Sequence, residues 1–311
     1  MELSIITTMY NSAEYLEEFY NRICATASIL TNDYEIIFVN DGSPDNSLDI
    51  AISFFKKDNR VRVINLSRNF GHHKAIMTGL QYARGEHVFL LDCDLEEDPE
   101  LLEDFWVESI KLDADVVYGV QAKRKGGFLE QISGNLFYKL FNLISSFELP
   151  PNPLTLRLMS RRYLAGLLKH QERETILAGL FAETGFKQAP LAVKKHSTGR
   201  STYTLKKKVA LLVNGITSFS NKPLIYIFYL GCMISFCSIM AAFYLIVQKI
   251  FFGVMLSGWP SLIVSIWLLG GLTLFCLGVI GIYLSKVFIE TKKRPYTIIE
   301  EIYERSDRTA D

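Results

Sequence analysis

The chain opens on an apolar run, Leu3 to Met9, and three more such runs follow before residue 93. "LSIITTM", "YEIIFVN", "VRVINLS" and "HVFLLDCD" are short and rich in β-branched residues, which predicts buried strands. Between them the spacing changes. Leu16, Phe19, Tyr20 and Ile23 recur at helical intervals, and "SPDNSLDIAISFF" starts a helix behind an N-cap at Ser43 or Asp45. "HHKAIMTGLQYA" is a third helix, closed by Gly85. Strands alternating with helices predict an α/β fold with a mostly parallel, Rossmann-like sheet that binds ligands at the carboxyl strand ends. Asp41 and Asp92 stand at two such ends.

Beyond "ADVVYGVQ" and the basic "AKRKGG", a helical stretch from Phe128 to Phe147 places apolar residues along one face. "ELPPNP" breaks it, and another helix is expected around "MSRRYLAGLLKH". The pattern then changes character. Leu224 to Val247 and Leu262 to Leu284 carry no charge, and a run of about 20 apolar residues spans a bilayer core. Lys206, Lys207, Lys208 and Lys222 precede the first run, and Lys286, Lys292, Lys293 and Arg294 follow the second. The connector holds Lys249 and a Trp259 anchor, so the positive-inside rule puts both flanks in the cytoplasm. The expected organisation is a cytoplasmic domain over 1–205, an amphipathic juxtamembrane segment over 206–222, two transmembrane helices within 223–290 and a cytoplasmic tail over 291–311. The site is then the inner membrane, crossed twice.

Composition agrees with two regimes joined end to end: 311 residues, 49% hydrophobic yet 21% charged. Thirty-three basic residues balance thirty-three acidic ones, which argues against nucleic acid as a partner. Five cysteines without a CxxC pair fit a reducing compartment rather than a disulfide framework. Glu2 and the lack of a basic n-region argue against a signal peptide at the start.

The chemistry concentrates in "VFLLDCDLEED". Asp92 and Asp94, two apart on a strand, project to one side and reach one point. Two carboxylates suit Mg²⁺ or Mn²⁺, with waters and substrate phosphates completing the shell. Glu96, Glu97 and Asp98 read as the exposed start of a helix. Asp41 in "NDGS" is either a turn residue or an acceptor for a base or ribose. His72 and His73 lack a third ligand at metal spacing and read as surface or packing residues. No GxGxxG follows a strand and no GxxxxGK[ST] occurs, which argues against dinucleotide oxidoreductases and P-loop enzymes. In "RLMSRR", Arg157 and Arg161 share a helix face at i,i+4, an arrangement suited to phosphate oxygens.

Taken in order, "TTMYNSAEYL", "IIFVNDGSPDNS", "INLSRNFGHHKAIMTGLQYARGE", "LLDCDLEEDPELL", "VVYG", "RLMSRR", "TGFKQ" and "GRSTYTLKKKV" resemble family 2 glycosyltransferases. The resemblance is closest to the polyprenyl-phosphate sugar transferases, which include dolichyl-phosphate mannose synthases and bacterial O-antigen-modifying glucosyltransferases. It covers residues 1–222 and continues through the two apolar runs. It implies a GT-A fold, a nucleotide-sugar donor, a polyprenyl (undecaprenyl) phosphate acceptor and a place in lipopolysaccharide or other cell-surface glycan synthesis. Carried over by position, Thr8, Tyr10, Asn11 and Asp41 line the nucleoside pocket, and Asp92 and Asp94 face the metal and diphosphate. Lys123 and Arg124 become candidates for phosphate contact, Arg157 and Arg161 face donor diphosphate or acceptor phosphate, and Ser201 and Tyr203 belong to a closing loop.

Two departures stand out. Where the family has an acidic residue two positions before the arginine, this chain has Thr155, and no tryptophan precedes "GF" in "FAETGFKQ". Threonine is no general base at neutral pH, and a hydroxyl acceptor needs one. A phosphomonoester does not, because its second pKa is about 6 and it is mostly dianionic at pH 7. The sequence therefore favours an inverting transfer onto lipid phosphate. Its rivals are a transferase acting on a lipid-linked sugar hydroxyl, with Glu183 or Glu174 as base, and a degenerate nucleotide-sugar-binding membrane protein. A translocase would need more spans or an oligomer. Gly270, Gly271, Gly278 and Gly281 allow close helix contact, which leaves a homo-oligomer open.

Overall fold

Every residue of β1 (Leu3–Met9), β2 (Tyr34–Asn40) and β3 (Val61–Leu66) is buried, as continuous apolar runs require in a sheet covered on both faces. The structure, a computed structural model, describes residues 1–121, 153–170, 172, 177–196, 213–214, 216–218, 220–252 and 258–305. These form two compact units, one built on a sheet and one of two long helices. The remaining strands of the sheet are β4 (His87–Leu90), β5 (Val116–Gln121), β6 (Pro153–Ser160), β7 (Gln188–Val193) and β8 (Ile299–Tyr303). Their spatial order is β7-β5-β6-β4-β1-β2-β3-β8. β6 and β8 run antiparallel to their neighbours, and the remaining pairings are parallel. The expected α/β sheet is therefore present, with one antiparallel strand inside it and one at its edge.

Helices α1 (Leu16–Leu30), α2 (Ser47–Lys57) and α4 (Leu101–Leu112) cover one face. Phe19, Ile23, Ala51, Phe54 and Phe105 pack there against Leu3, Ile5, Phe38 and Phe89. Helix α3 (His72–Gln81) lies along β1 and β2, with Ile76 and Leu80 fully buried. It ends at Gln81 with Tyr82 as its cap, not at Gly85, whose amide instead donates to Ser4 Oγ at 2.7 Å. The cap residue of α2 is Asn46, while the Asp45 carboxylate accepts from the Ser47 amide. Short helices α5 (Arg161–Leu167) and α6 (Leu177–Glu183) complete this unit's described helices.

A charged network crosses the sheet at the amino ends of its central strands. Glu35, 1% exposed, accepts from Ser4 Oγ at 2.7 Å and from Arg62 Nη1 at 3.0 Å. Arg62 reaches Glu304 at 2.9 Å, just past β8. Part of the tail after the apolar runs thus joins the sheet. Residues 299–303 pair antiparallel with β3, and Asn65 donates to Glu300 at 3.0 Å.

The second unit holds α7 (Lys222–Phe252) and α8 (Trp259–Thr291). Both contain stretches long and apolar enough to cross a membrane, Lys222–Ala241 and Ser265–Thr291, with their large side chains turned outward. Tyr283 Oη donates to Ser220 O at 2.6 Å and Lys286 Nζ to Ser218 Oγ at 2.8 Å, so the end of α8 returns to the start of α7 as a hairpin. Most of the amphipathic segment expected over 206–222, and the helix expected from Phe128 to Phe147, lie outside the described residues.

Candidate functional site

At the carboxyl edge of the sheet, β1, β2 and β4 deliver their next residues to one place. The Asp41 carboxylate, at the end of β2, accepts from the amides of Phe70 at 2.7 Å and Gly71 at 3.0 Å. It thereby holds the loop that runs into α3. Burial pushes its pKa up, and the two amides oppose that rise. Gly42 beside it has φ +62°, and a Cβ there would lie 2.5 Å from Arg68 C and Asn69 N. Gly42→Ala is therefore expected to destabilise the protein by roughly 1–3 kcal/mol, read as a lower denaturation midpoint. A midpoint equal to the wild type would show that the 68–69 backbone yields.

The loop after β1 is tied down from α2. Asn11, with φ +53°, donates its amide to Ser43 Oγ at 2.8 Å, and Asp45 accepts from the Ala13 amide at 3.0 Å. Burial opposes ionisation of Asp45, but bonds from Ser43, Ser47 and Ala13 outweigh it and hold the pKa down at about 2. Tyr10 is left half exposed, and Thr8 Oγ1 lies 3.1 Å from His72 Nδ1.

Strand β4 stops at Leu90, so Asp92 and Asp94 sit in the turn that follows rather than on the strand itself. Leu95 has φ +56°, and Asp94 accepts from the Glu96 amide at 3.0 Å. Asp92 is pushed up to about 7, first by burial and then by Asp94. Its Oδ1 is buried with no hydrogen-bond partner among the described residues, and His72 Nε2 stands 3.5 Å away. A buried carboxylate oxygen left over beside a second carboxylate fits a hard divalent cation. Among the described residues no set of three or more His, Cys, Asp and Glu gathers as ligands.

His72, expected at the surface or in packing, is at the surface, its side chain 45% exposed, and it also stands between Thr8 and Asp92. Partial burial lowers its pKa. Its signal was positional: it opens a helix directly after a strand's carboxyl end. Glu97 was expected exposed but is 3% exposed and paired with Lys195 at 3.0 Å. Burial pushes it up to about 7, against the pull of Lys195. Lys195 also reaches Glu96 at 2.7 Å, and His196 meets Asp98 at 3.0 Å. The segment after β7 thus clamps the acidic turn, a role missed because the residues are a hundred positions apart.

Arg157 and Arg161 are not neighbours on a helix. Arg157 lies in β6 opposite Leu90, while Arg161 begins α5, past the start of β4. Arg161 Nη1 donates to Ala83 O at 2.7 Å, at the amino edge of the sheet, so it does not face Asp92. Arg162 pairs with Asp115. Alternation puts Arg157 on the face of the sheet that carries Leu90, since Phe89, Leu156 and Leu158 fill the opposite core.

Arg157 is 3% exposed, donates to Thr155 O and Leu154 O at 3.0 Å each, and lies 3.2 Å from the Phe181 ring centroid. It has no carboxylate partner among the described residues, and burial lowers its pKa to about 10. Thr155 precedes it in β6, and Glu183 ends α6. Lys123, Arg124, Glu174, Ser201 and Tyr203 lie outside the described residues.

A family model described as glycosyl transferase family 2 matches residues 4–168. A Mycobacterium tuberculosis protein named among the glycosyltransferases is 56% identical over 97% of this chain and 89% of its own length. The prophage bactoprenol glucosyl transferase homolog of Escherichia coli is 31% identical over 97% of this chain and 99% of its own length. Among solved structures, a mannosyltransferase from Pyrobaculum calidifontis in complex with GDP-Man and Mn²⁺ is similar in fold. It has a TM-score of 0.50 at 14% identity, covering 94% of this chain and 86% of that one.

Proposed function

The chain belongs to glycosyltransferase family 2, and from that premise we propose that it moves a sugar from a nucleotide-sugar donor to polyprenyl phosphate. The observation that carries the reading is Arg157, a buried guanidinium with no acid beside it among the described residues and Thr155 where an acid was expected. A buried cation without a counter-ion is costly, and an anionic ligand relieves that cost. Supporting it, the relative named for bactoprenol matches over nearly its whole length.

In this reading Thr8, Tyr10, Asn11 and Asp41 shape the nucleoside end of the pocket. Asp92 and Asp94 would hold a divalent cation, Mg²⁺ or Mn²⁺, which would supply charge neutralisation for a diphosphate. His72, neutral and fixed by Thr8, keeps Asp92 oriented. The acceptor phosphate oxygen attacks the anomeric carbon from the side opposite the diphosphate. One carbon–oxygen bond forms as the other breaks, with inversion, and the nucleoside diphosphate departs with the electron pair. The dianionic acceptor arrives without a proton to lose, so no base is required. Arg157 supplies positive charge to a phosphate in a dry setting, where such charge counts most.

Because β8 pairs with β3, the chain before α7 and after α8 belongs to one sheet, and both lie on the same side of any bilayer the hairpin crosses. The lysine-rich flanks make that side cytoplasmic. The test is to incubate the detergent-purified protein with undecaprenyl phosphate and a panel of nucleotide sugars, with Mn²⁺ or with EDTA, and to look for glycolipids by mass spectrometry. A lipid-phosphate sugar that forms only with the ion is the expected product. Transfer only to lipid-linked sugars would move the assignment to a hydroxyl acceptor.

A further inference from the structure

At the amino edge of the sheet, away from Asp41 and Asp92, the protein encloses a cavity of about 220 Å³ lined by Arg60, Arg62, Arg84 and Arg305 with Glu35 and Glu304. It has room for several waters, and so for a phosphoryl group with its hydration. Its parts come from the starts of β2 and β3, the turn before β4 and the end of β8. They meet only because the C-terminal strand returns to the sheet.

These charges explain one another only in part. Glu35 is spent on Ser4 Oγ, the Arg84 amide and Arg62 Nη1. Glu304 takes one nitrogen each from Arg62 at 2.9 Å and Arg84 at 2.8 Å. Asp58 holds Arg60 at 2.8 Å, and Arg305 donates to Lys56 O at 3.3 Å. Among the described residues, four guanidiniums therefore meet three carboxylates, leaving one positive charge over. Each guanidinium carries five N–H donors, more than these acceptors can use. Arg62 has a side chain only 6% exposed, and its Nε has no hydrogen-bond partner among the described residues. A purely structural network would not need an arginine excess around an open space.

We propose that this cavity is a second anion site, which binds a phosphate-bearing ligand between Arg60, Arg84 and Arg305, with Arg62 as its buried floor. Planar guanidiniums match phosphate oxygens in pairs. Glu304 is the resident anion that an incoming phosphate joins or displaces. The phosphate belongs either to a soluble anion or to a lipid headgroup, and the chemistry is shared.

The experiment follows the unfolding midpoint of the full-length protein in detergent, with inorganic phosphate against chloride at equal ionic strength. A second arm uses mixed micelles of phosphatidic acid against phosphatidylcholine. The Arg84→Gln/Arg305→Gln double variant is expected to weaken binding at least roughly tenfold, the scale of one lost charged hydrogen bond. Arg62 is left intact because its removal would unpair buried Glu35. Glu304→Gln, which removes the competing carboxylate, is expected to tighten binding. Asp92→Asn is expected to leave the response in place, which separates this cavity from the donor site. A response to inorganic phosphate that the double variant loses assigns a soluble ligand. A response to phosphatidic acid alone, lost in the same variant, assigns a lipid headgroup. Midpoints unmoved by both, or moved equally in the double variant, overturn the proposal.

Discussion

Asp92→Asn is expected to abolish sugar transfer while making the metal-free protein harder to unfold at pH 8. Burial and Asp94 raise Asp92 from the ordinary 3.8 to about 7, so the folded chain keeps a proton that the unfolded chain has already released. The stability from holding that proton is complete below about pH 4 and is lost as pH rises through about 7. Three pKa units amount to about 4 kcal/mol, and partial solvent access reduces this to about 2–3 kcal/mol. Asparagine carries no charge at any pH and escapes the penalty, but it loses the carboxylate that receives the cation. Turnover should fall by about a thousandfold or more, while the EDTA-treated variant unfolds at a higher temperature than the wild type at pH 8 and at nearly the same temperature at pH 4. Calorimetry across that range, with a parallel transfer assay, reads both. Retained turnover would remove Asp92 from the metal site. An unchanged difference between pH 4 and pH 8 would show that the pair is not strained.

Arg157→Met should be nearly silent in stability and severe in activity. The methionine side chain fills a similar volume against Phe181 and removes a buried charge that no carboxylate among the described residues balances. Replacing such a charge with an apolar group is often neutral or stabilising, here within about 1–2 kcal/mol. Losing a preorganised cation from the reacting phosphates costs on the order of a hundred- to ten-thousandfold in kcat/KM. Thr155→Asp sharpens the comparison. It supplies the missing counter-ion, so the fold should gain stability while transfer to lipid phosphate slows, the guanidinium being already paired. An Arg157→Met variant that unfolds and also loses activity would indicate a structural residue. A Thr155→Asp variant faster than the wild type would show that an acid helps, which favours a hydroxyl acceptor.

Much of the sheet was legible because burial on both faces leaves no alternative to apolar runs: β1, β2 and β3 match the runs to within a residue, while α7 and α8 contain theirs and extend beyond them at both ends. What was lost is where local spacing competes with a break in structure. "RLMSRR" has perfect helical spacing, yet Ser160 ends β6 and caps α5 with its Oγ accepting from the Tyr163 amide, so the two arginines part. The acidic turn was located correctly, but its shape was not, because β4 ends two residues before Asp92. Strand β8 was invisible for a different reason. "IEEIY" is short, half-polar and an edge strand, and its partner lies more than two hundred residues earlier. Lys195 and His196 share that difficulty, since nothing in their neighbourhood announces the acids they hold.

The return of β8 to β3 also sets an order of events during synthesis. Ribosomes deliver α7 and α8 before residues 299–303, so both long helices are made while the outer edge of β3 is still unpaired. The catalytic domain therefore cannot finish folding as an independent N-terminal module, even though most of its strands emerge first. Residues 299–303 therefore act as a late latch that closes the outer edge of the sheet after both helices are made.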